Sequence, residues 1–325
     1  MARIVVTGRI PSDGLDLLRR HHEVTAWDED RAITREELLG FVRGADGLVT
    51  LLTERVDGEL LDAAGEQLRV VANVAVGFNN IDVDACVTRG VTATNTPGVL
   101  TEATADTAFT LMLMATRRFG EGERVIRSRT PWQWGMFYLL GMGIQGKVLG
   151  IVGAGAIGIA MARRAKAFGM SVLYTGPVPL TPEVEAELGA RRVEFGELLR
   201  TSDVVSLHCP YLPETHHLMG AHEFELMKPT AYLVNSARGP IVDEAALVAA
   251  LQAGELAGAG LDVFENEPSV HEGLLDMDNV VLLPHLGSAT TETRTAMAVL
   301  AADNAIAVLA GRDPVTPVTP VPGRG

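Results

Sequence analysis

The chain has 325 residues, of which 47% are hydrophobic and 21% charged, and its formal net charge is −14. That length accommodates two domains with separate cores. The acidic balance excludes nucleic acid and an anionic membrane as main partners, because both require a basic surface. Cys86 and Cys209 lie far apart without metal-ligand spacing, so neither a disulfide framework nor a structural metal is expected, and a reducing cytoplasm fits. The opening MARIVVTGRI runs directly into a strand pattern rather than a charged segment followed by an apolar one, so no leader is expected. No apolar run reaches the roughly 18 residues that would span a bilayer.

In chain order, Arg3–Thr7 reads as a strand and Gly14–His21 as a helix with Leu15, Leu17 and Leu18 turned inward. Val24–Ala26 is a short strand, and Thr34-Arg35-Glu36-Glu37 has the form of a capping box opening a helix to Arg43. Gly47–Leu51, Arg69–Asn73 and Val91–Ala93 are further runs of strand length. Strands and helices alternating at this spacing predict a parallel sheet with crossover helices. Asn95-Thr96-Pro97-Gly98 is a turn cluster. A helical pattern then extends from Thr101 to about Arg127, with Met112 and Met114 as core filler. The Trp132-Gln133-Trp134 stretch leads a loop to Gly146, and from Lys147 a second strand–helix series continues to about Leu283. Thr290–Leu309 predicts a closing helix, and Pro314–Gly325 an extended tail.

The most specific local signal lies at Gly153–Gly158. The strand run Val148–Val152 precedes Gly153-Ala154-Gly155-Ala156-Ile157-Gly158, a helix follows to about Phe168, and a second strand follows at Ser171–Thr175. Gly153 permits the tight turn, Gly155 the approach of a pyrophosphate to the backbone, and Gly158 close packing of helix on strand. The N–H groups at the helix start hold phosphates. Strand before, helix after and second strand about 20 residues on form the context that a dinucleotide-binding turn requires. After the second strand the chain reads Thr175-Gly176-Pro177-Val178, with no acid to engage a ribose hydroxyl and no base directly following. The cofactor is therefore NAD(H) or NADP(H), with the balance toward NADP(H). Arg191 and Arg192 are the nearest bases that could reach this position, and a place on a later strand is favoured for them.

Three further segments carry acid–base chemistry. Leu233–Gly239 is a strand running into Arg238, Gly260–Pro268 a strand running into acids that include Glu267, and Val281–Ser288 a strand running into His285. The carboxyl ends of strands are where open α/β sheets bind ligands. Reducing a 2-keto acid requires a cation to orient the carboxylate and polarise the carbonyl, which suits the planar fork of Arg238. It also requires a proton donor near neutral pH, which suits His285 with Glu267 fixing its ring and raising its pKa. Of the other histidines, His21 and His22 are placed at the surface, His216 and His217 in a loop, and His208, before Cys209-Pro210, beside the adenine site.

Taken together, VAVGFNNID at Val74–Asp82, TNTPGVLTEATAD at Thr94–Asp106, GAGAIG, NSARG, GLDVFENEP and PHLGS resemble the D-isomer-specific 2-hydroxyacid dehydrogenases, and within them the glyoxylate/hydroxypyruvate reductases. The resemblance spans essentially the whole chain. It implies two doubly wound parallel-sheet α/β domains of Rossmann-like or flavodoxin-like form with a cleft between them. Residues 1–98 plus 287–325 would bind substrate, and 99–286 the dinucleotide. It places the catalytic residues on Arg238, Glu267 and His285, and the amides receiving the substrate carboxylate on Val76 and Gly77. Asp262 would hold the nicotinamide carboxamide, and Thr104 would contact the cofactor. Ala156, Ile157, Thr175, Cys209, Pro210, Ala237, His285 and Gly287 complete the expected cofactor contacts, and Ser288 the substrate contacts.

The implied reaction is NAD(P)H-dependent reduction of a small 2-keto acid to the D-2-hydroxy acid by a homodimer, with the Thr101–Arg127 helix and the Trp132–Leu140 loop as dimer elements. Alternatives are an enzyme of the same group acting on phosphoglycerate, formate or phosphite, or a nucleotide-sensing protein without catalysis. Two departures from the resemblance stand out. Pro177 occupies the place where NADP-preferring relatives carry arginine, and the Trp134–Tyr138 loop differs from the usual pattern.

Overall fold

A computed structural model of the chain describes residues 1–318; residues 319–325, which include the end of the expected extended tail, lie outside the described residues. The chain divides into two compact units, Met1–Leu100 with Ala289 onward and Thr101–Ser288. Each junction lies two residues later than the boundaries read from the sequence.

The first unit runs β1 (Arg3–Val6), α1 (Ser12–Arg19), β2 (Glu23–Ala26), α2 (Arg35–Phe41), β3 (Gly47–Thr50), α3 (Gly58–Ala64), β4 (Val70–Asn73), α4 (Val83–Thr88) and β5 (Thr92–Thr94), and the C-terminal helix Thr291–Leu309 returns to it. Its strands lie in the order β2-β1-β3-β4-β5, all parallel among the described residues. Every residue of β3 and β4 is buried, as expected where helices cover both faces of a parallel sheet. Gly14 lets α1 approach the C-terminal helix, because a Cβ there would lie 2.8 Å from the Cβ of Ala298. The capping box at Thr34 and Glu37 forms in full. Leu18 is completely buried while Leu15 and Leu17 are partly so. The tail is fastened as far as it is described: Pro317 bridges Thr94, and Thr316 exchanges hydrogen bonds with Asn304. His21 is exposed, but both ring nitrogens of His22 are buried with no partner among the described residues. Burial lowers the His22 pKa, aided by His21 and the N-terminus, so His22 departs from its expected surface place.

The second unit begins with α5 (Thr101–Thr116) and α6 (Phe119–Arg127), then runs β6 (Val148–Val152), α7 (Ala156–Ala167), β7 (Ser171–Thr175), α8 (Pro182–Leu188), β8 (Ala190–Arg192), α9 (Phe195–Thr201), β9 (Val204–Leu207), α10 (Ala221–Leu226), β10 (Tyr232–Asn235), α11 (Glu244–Ala253), β11 (Gly258–Leu261), α12 (Glu272–Leu275) and β12 (Val280–Leu282). The parallel strand order β12-β11-β10-β9-β6-β7-β8 places a reversal of winding between β6 and β9. Open α/β sheets bind ligands at such a switch point, outside the carboxyl ends of the strands.

The single helix expected over Thr101–Arg127 is two. Arg118 takes the left-handed conformation with φ 53°, and the Thr116 carbonyl accepts the Met142 N–H at 2.7 Å. The returning chain thus satisfies an end carbonyl that a longer helix would have bonded internally. Met112 is fully buried and Met114 partly, in the apolar cluster between α5 and the sheet.

Candidate active site

The glycine turn joins the end of β6 to α7 at the switch point. Gly153 has φ 93°, and a Cβ there would lie 2.6 Å from the Cys209 nitrogen, so both the turn and the close approach to the end of β9 require glycine. Its N–H donates to the Thr175 carbonyl at 2.9 Å, which holds the end of β7 against the turn. Gly158 packs under the turn, where a Cβ would meet the Gly153 carbonyl oxygen at 2.5 Å. Gly155, by contrast, faces open space. It is the N-cap of α7 without a side-chain cap, and the first carbonyl bond of that helix runs from the Ile159 N–H to Gly155. The N–H groups of Ala156, Ile157 and Gly158 precede it, and a helix supplies no internal acceptor for its first turn. A vacant approach over Gly155 and a set of helix-start donors fit a pyrophosphate.

Cys209 is buried, its thiol pushed up to about 11 by burial, and Pro210 is exposed beside it. His208 hydrogen-bonds Ser206 Oγ through Nε2 at 2.8 Å. Burial lowers its pKa to about 4, so it is neutral at physiological pH.

Three strand ends carry the charged groups. Beyond β10, the Asn235 side chain accepts the Ala237 N–H at 3.0 Å and donates to the Arg238 carbonyl at 2.9 Å, fixing the turn that presents Arg238. One Nη of Arg238 donates to the Ala237 carbonyl at 2.7 Å. Burial lowers its pKa, opposed by the charge of Glu267, yet a guanidinium stays charged at any physiological pH. Gly239 is demanded by the loop after β11, since a Cβ there would fall 1.8 Å from the Phe264 carbonyl oxygen. That loop turns back on itself, Glu267 Oε1 accepting the Phe264 N–H at 3.0 Å.

His285 follows β12 in the left-handed region with φ 54°, where a non-glycine residue is held only by its surroundings. Asp262, at the end of β11, supplies the hold. Its carbonyl accepts the His285 N–H at 2.8 Å, and its carboxylate oxygens accept the Leu286 N–H at 2.6 Å and the Gly287 N–H at 2.8 Å. Burial raises the Asp262 pKa against those two backbone donors. Thr104, on α5, donates to the Gly287 carbonyl at 3.2 Å, so Thr104 and Asp262 together brace the histidine loop. Ser288 is half-buried at its end.

The His285 ring meets Glu267 through Nδ1, 2.9 Å from Oε2, and no partner takes Nε2 among the described residues. Burial pushes the Glu267 carboxyl up, but the His285 hydrogen bond and charge, the Phe264 N–H and Arg238 together bring it below its ordinary value. A carboxylate on Nδ1 fixes the tautomer and leaves Nε2 to exchange a proton.

In the first unit, the loop after β4 holds Val76 and Gly77. The Asn95 side chain donates to the Val76 carbonyl at 2.8 Å and the Asn73 side chain to the Gly77 carbonyl at 3.1 Å. No acceptor takes the N–H of either residue among the described residues.

Sequence reasoning missed several supporting groups. The asparagines Asn73, Asn95 and Asn235 act on backbone a few residues away or across strands, a relation visible only once the loops are folded. Ser236 Oγ, two residues before Arg238, is buried with no partner among the described residues, an unsatisfied group of the kind that a ligand completes. His217, in its loop, hydrogen-bonds Glu265 at 2.7 Å, two residues before Glu267.

Residues 109–287 match the profile described as "D-isomer specific 2-hydroxyacid dehydrogenase, NAD binding domain". The chain is 50% identical over 319 residues to the glyoxylate reductase of Thermococcus onnurineus, covering 97% of this chain and 95% of that protein. The crystal structure of the TT0316 protein of Thermus thermophilus is 43% identical and superposes with a TM-score of 0.91, covering 98% of this chain and all of that one (100%). The NADPH-dependent glyoxylate/hydroxypyruvate reductase of Sinorhizobium meliloti, solved with NADP and malonate, is 35% identical with a TM-score of 0.84, covering 98% of this chain and 97% of that one. With its glycine turn at the switch point, the chain is an oxidoreductase that takes a nicotinamide dinucleotide, and it belongs to the D-isomer specific 2-hydroxyacid dehydrogenase family.

Proposed function

We propose that the protein reduces a small 2-keto acid, glyoxylate or hydroxypyruvate, to the D-2-hydroxy acid. The observation that carries this reading is the Glu267–His285 pair with its open Nε2, at strand ends neighbouring the one that presents Arg238. The glyoxylate reductases among its relatives support the substrate class.

When bound, the reduced nicotinamide supplies the hydride. Arg238 orients the substrate carboxylate and polarises the carbonyl through its fork. As the carbonyl carbon accepts the hydride, His285 gives the Nε2 proton to the developing alkoxide, and Glu267 stabilises the ring through Nδ1. The unclaimed N–H groups of Val76 and Gly77 suit a carboxylate, and Ser288 is a further polar contact for the substrate. The N–H groups of Gly155, Ala156, Ile157 and Gly158 receive the pyrophosphate beside Gly153. Thr175, Cys209 and Pro210 border the adenosine, and Thr104, Ala237, Asp262 and Gly287 the nicotinamide end.

A homodimer is part of the same proposal. Trp134, Met136 and Phe137 are 73%, 71% and 88% exposed in the loop before β6, a clustering of large apolar side chains that marks an interaction surface. The free buried thiols Cys86 and Cys209 suit a reducing cytoplasm.

The test is a panel of 2-keto acids assayed with NADH and NADPH by loss of nicotinamide absorbance. Glyoxylate and hydroxypyruvate are expected to be turned over. Silence across the panel, with cofactor still bound, would instead support a nucleotide-sensing protein.

A further inference from the structure

A protein carrying a net charge of −14 repels small anions on average, so any anionic group that it binds needs a local cation. At the end of β7, where the second ribose hydroxyl of a bound dinucleotide is expected from the position of the glycine turn, the chain reads Thr175-Gly176-Pro177 and offers neither acid nor base of its own. The cation comes from the neighbouring strand. β8 pairs with β7 in parallel, with Tyr174 opposite Arg192, and the Arg192 side chain reaches past the end of β7 to donate to the Gly176 carbonyl at 2.7 Å.

Gly176 in turn adjoins the glycine turn. A Cβ built on it would lie 3.9 Å from the Ala154 nitrogen and 4.0 Å from Gly153 Cα. The guanidinium is therefore tied to the peptide that borders the dinucleotide turn. Its remaining N–H groups have no partner among the described residues, and no acid pairs with it there. The adjacent arginine is already engaged, Arg191 pairing with Glu197 at 3.0 Å. Of the acids in the first turn of α8, Glu185 accepts from the Tyr174 hydroxyl at 2.6 Å. An exposed arginine with an open fork, fixed at one corner by a backbone carbonyl, has the geometry that receives a phosphate.

We infer that Arg192 is the ligand for the 2′-phosphate of the cofactor, so that the protein selects NADP(H) over NAD(H) through an arginine on β8 rather than through a residue following β7. This rests on the dinucleotide site described above and adds to it the group that chooses between the two cofactors.

The experiment is isothermal titration of the wild-type protein, Arg192→Ala and Arg192→Lys with adenosine 2′,5′-bisphosphate and adenosine 5′-monophosphate. These share the adenosine but differ at the 2′ position. The wild type is expected to bind the bisphosphate more tightly. Arg192→Ala should lose that advantage by about 10- to 100-fold, the range of a charge-assisted pair, with affinity for the monophosphate retained. Arg192→Lys keeps the charge and should restore part of the advantage. Added salt should weaken bisphosphate binding to the wild type more than to Arg192→Ala. An equal bisphosphate advantage in wild type and Arg192→Ala would overturn the assignment. So would a parallel loss of both ligands in Arg192→Ala, which would mark Arg192 as a prop for the Gly176 loop. A wild type that binds the monophosphate without gain from the second phosphate refutes the role of Arg192 and leaves the dinucleotide site standing. Failure to bind either nucleotide, or NADH, contradicts the site itself.

Discussion

Past the carboxyl edge of its sheet, the first unit offers backbone: Asn73 and Asn95 hold the carbonyls of Gly77 and Val76, and the N–H groups of those two residues are unclaimed among the described residues. Past the corresponding edge, the second unit offers charged side chains, with Arg238, Glu267 and His285 following neighbouring strands β10, β11 and β12. Both units are doubly wound parallel sheets, so architecture does not account for the contrast; the loop chemistry does. Fixed N–H donors carry no titratable proton and suit binding an anion at any pH. A carboxylate-backed imidazole suits moving a proton. On the proposed function, binding falls to the first edge and chemistry to the second, and substitutions on each side should therefore fail in different ways.

The largest effect is expected at the proposed proton donor. His285→Gln should lower turnover by about 10²–10⁴-fold, the usual contribution of a positioned general acid, with NAD(P)H affinity nearly unchanged by fluorescence titration. Equal turnover in the two proteins would remove His285 from the reaction.

Next comes the cation. Arg238→Lys keeps the charge but loses the planar fork, and kcat/KM should fall about 10- to 100-fold, as expected for losing a charge-assisted hydrogen bond at the transition state. Steady-state kinetics with glyoxylate would check this, and an unchanged kcat/KM would show that bidentate geometry is not used.

The acid limb tests the Glu267–His285 pair. Because the folded carboxyl of Glu267 titrates below its ordinary value, its stabilising contribution is present above the unfolded carboxylate value of about 4.3 and is lost as the pH falls through the lower folded value. Melting curves taken through that window should show a steeper acid loss for the wild type than for Glu267→Gln. Identical slopes would mean that the pair contributes no linked proton.

The smallest effect belongs to the first unit. Asn95→Ala removes one neutral hydrogen bond to the Val76 carbonyl, and KM for the keto acid should rise by about 2- to 10-fold with kcat nearly intact. A fall in kcat at constant KM would break the division between the two edges.

The side-chain edge was far more legible in the sequence than the backbone edge. Gly153–Gly158, Arg238, Glu267 and His285 belong to short motifs whose residue types are chemically distinctive, and each follows a recognisable buried strand. Glycine's role at 153 follows from local turn geometry, so the strand–turn–helix context suffices to read it. The asparagine clamps are different: Asn95 acts on a carbonyl 19 residues earlier, after β5 has paired with β4. Arg192 was placed on a later strand, where it lies, but its reach to Gly176 across 16 residues depends on the pairing of β8 with β7. Asp262 and Thr104 were read through the family resemblance as cofactor contacts. Their observed bonds to the backbone of residues 286 and 287 brace the His285 loop, a duty without a sequence signature. The break at Arg118 was hidden for a related reason, since the partner that ends α5 is the distant Met142.

The most direct measurement of the central claim is isotope transfer. Reduction of glyoxylate leaves a carbon with two hydrogens and no D or L form, so hydroxypyruvate is the better probe, incubated with NAD(P)H deuterated at the transferring position. The proposed reaction puts deuterium on the former carbonyl carbon of a product of D configuration, and the rate of label transfer should fall by about 10²–10⁴-fold in His285→Gln while the variant still binds cofactor. A product lacking the label, one of L configuration, or undiminished transfer in His285→Gln would contradict it.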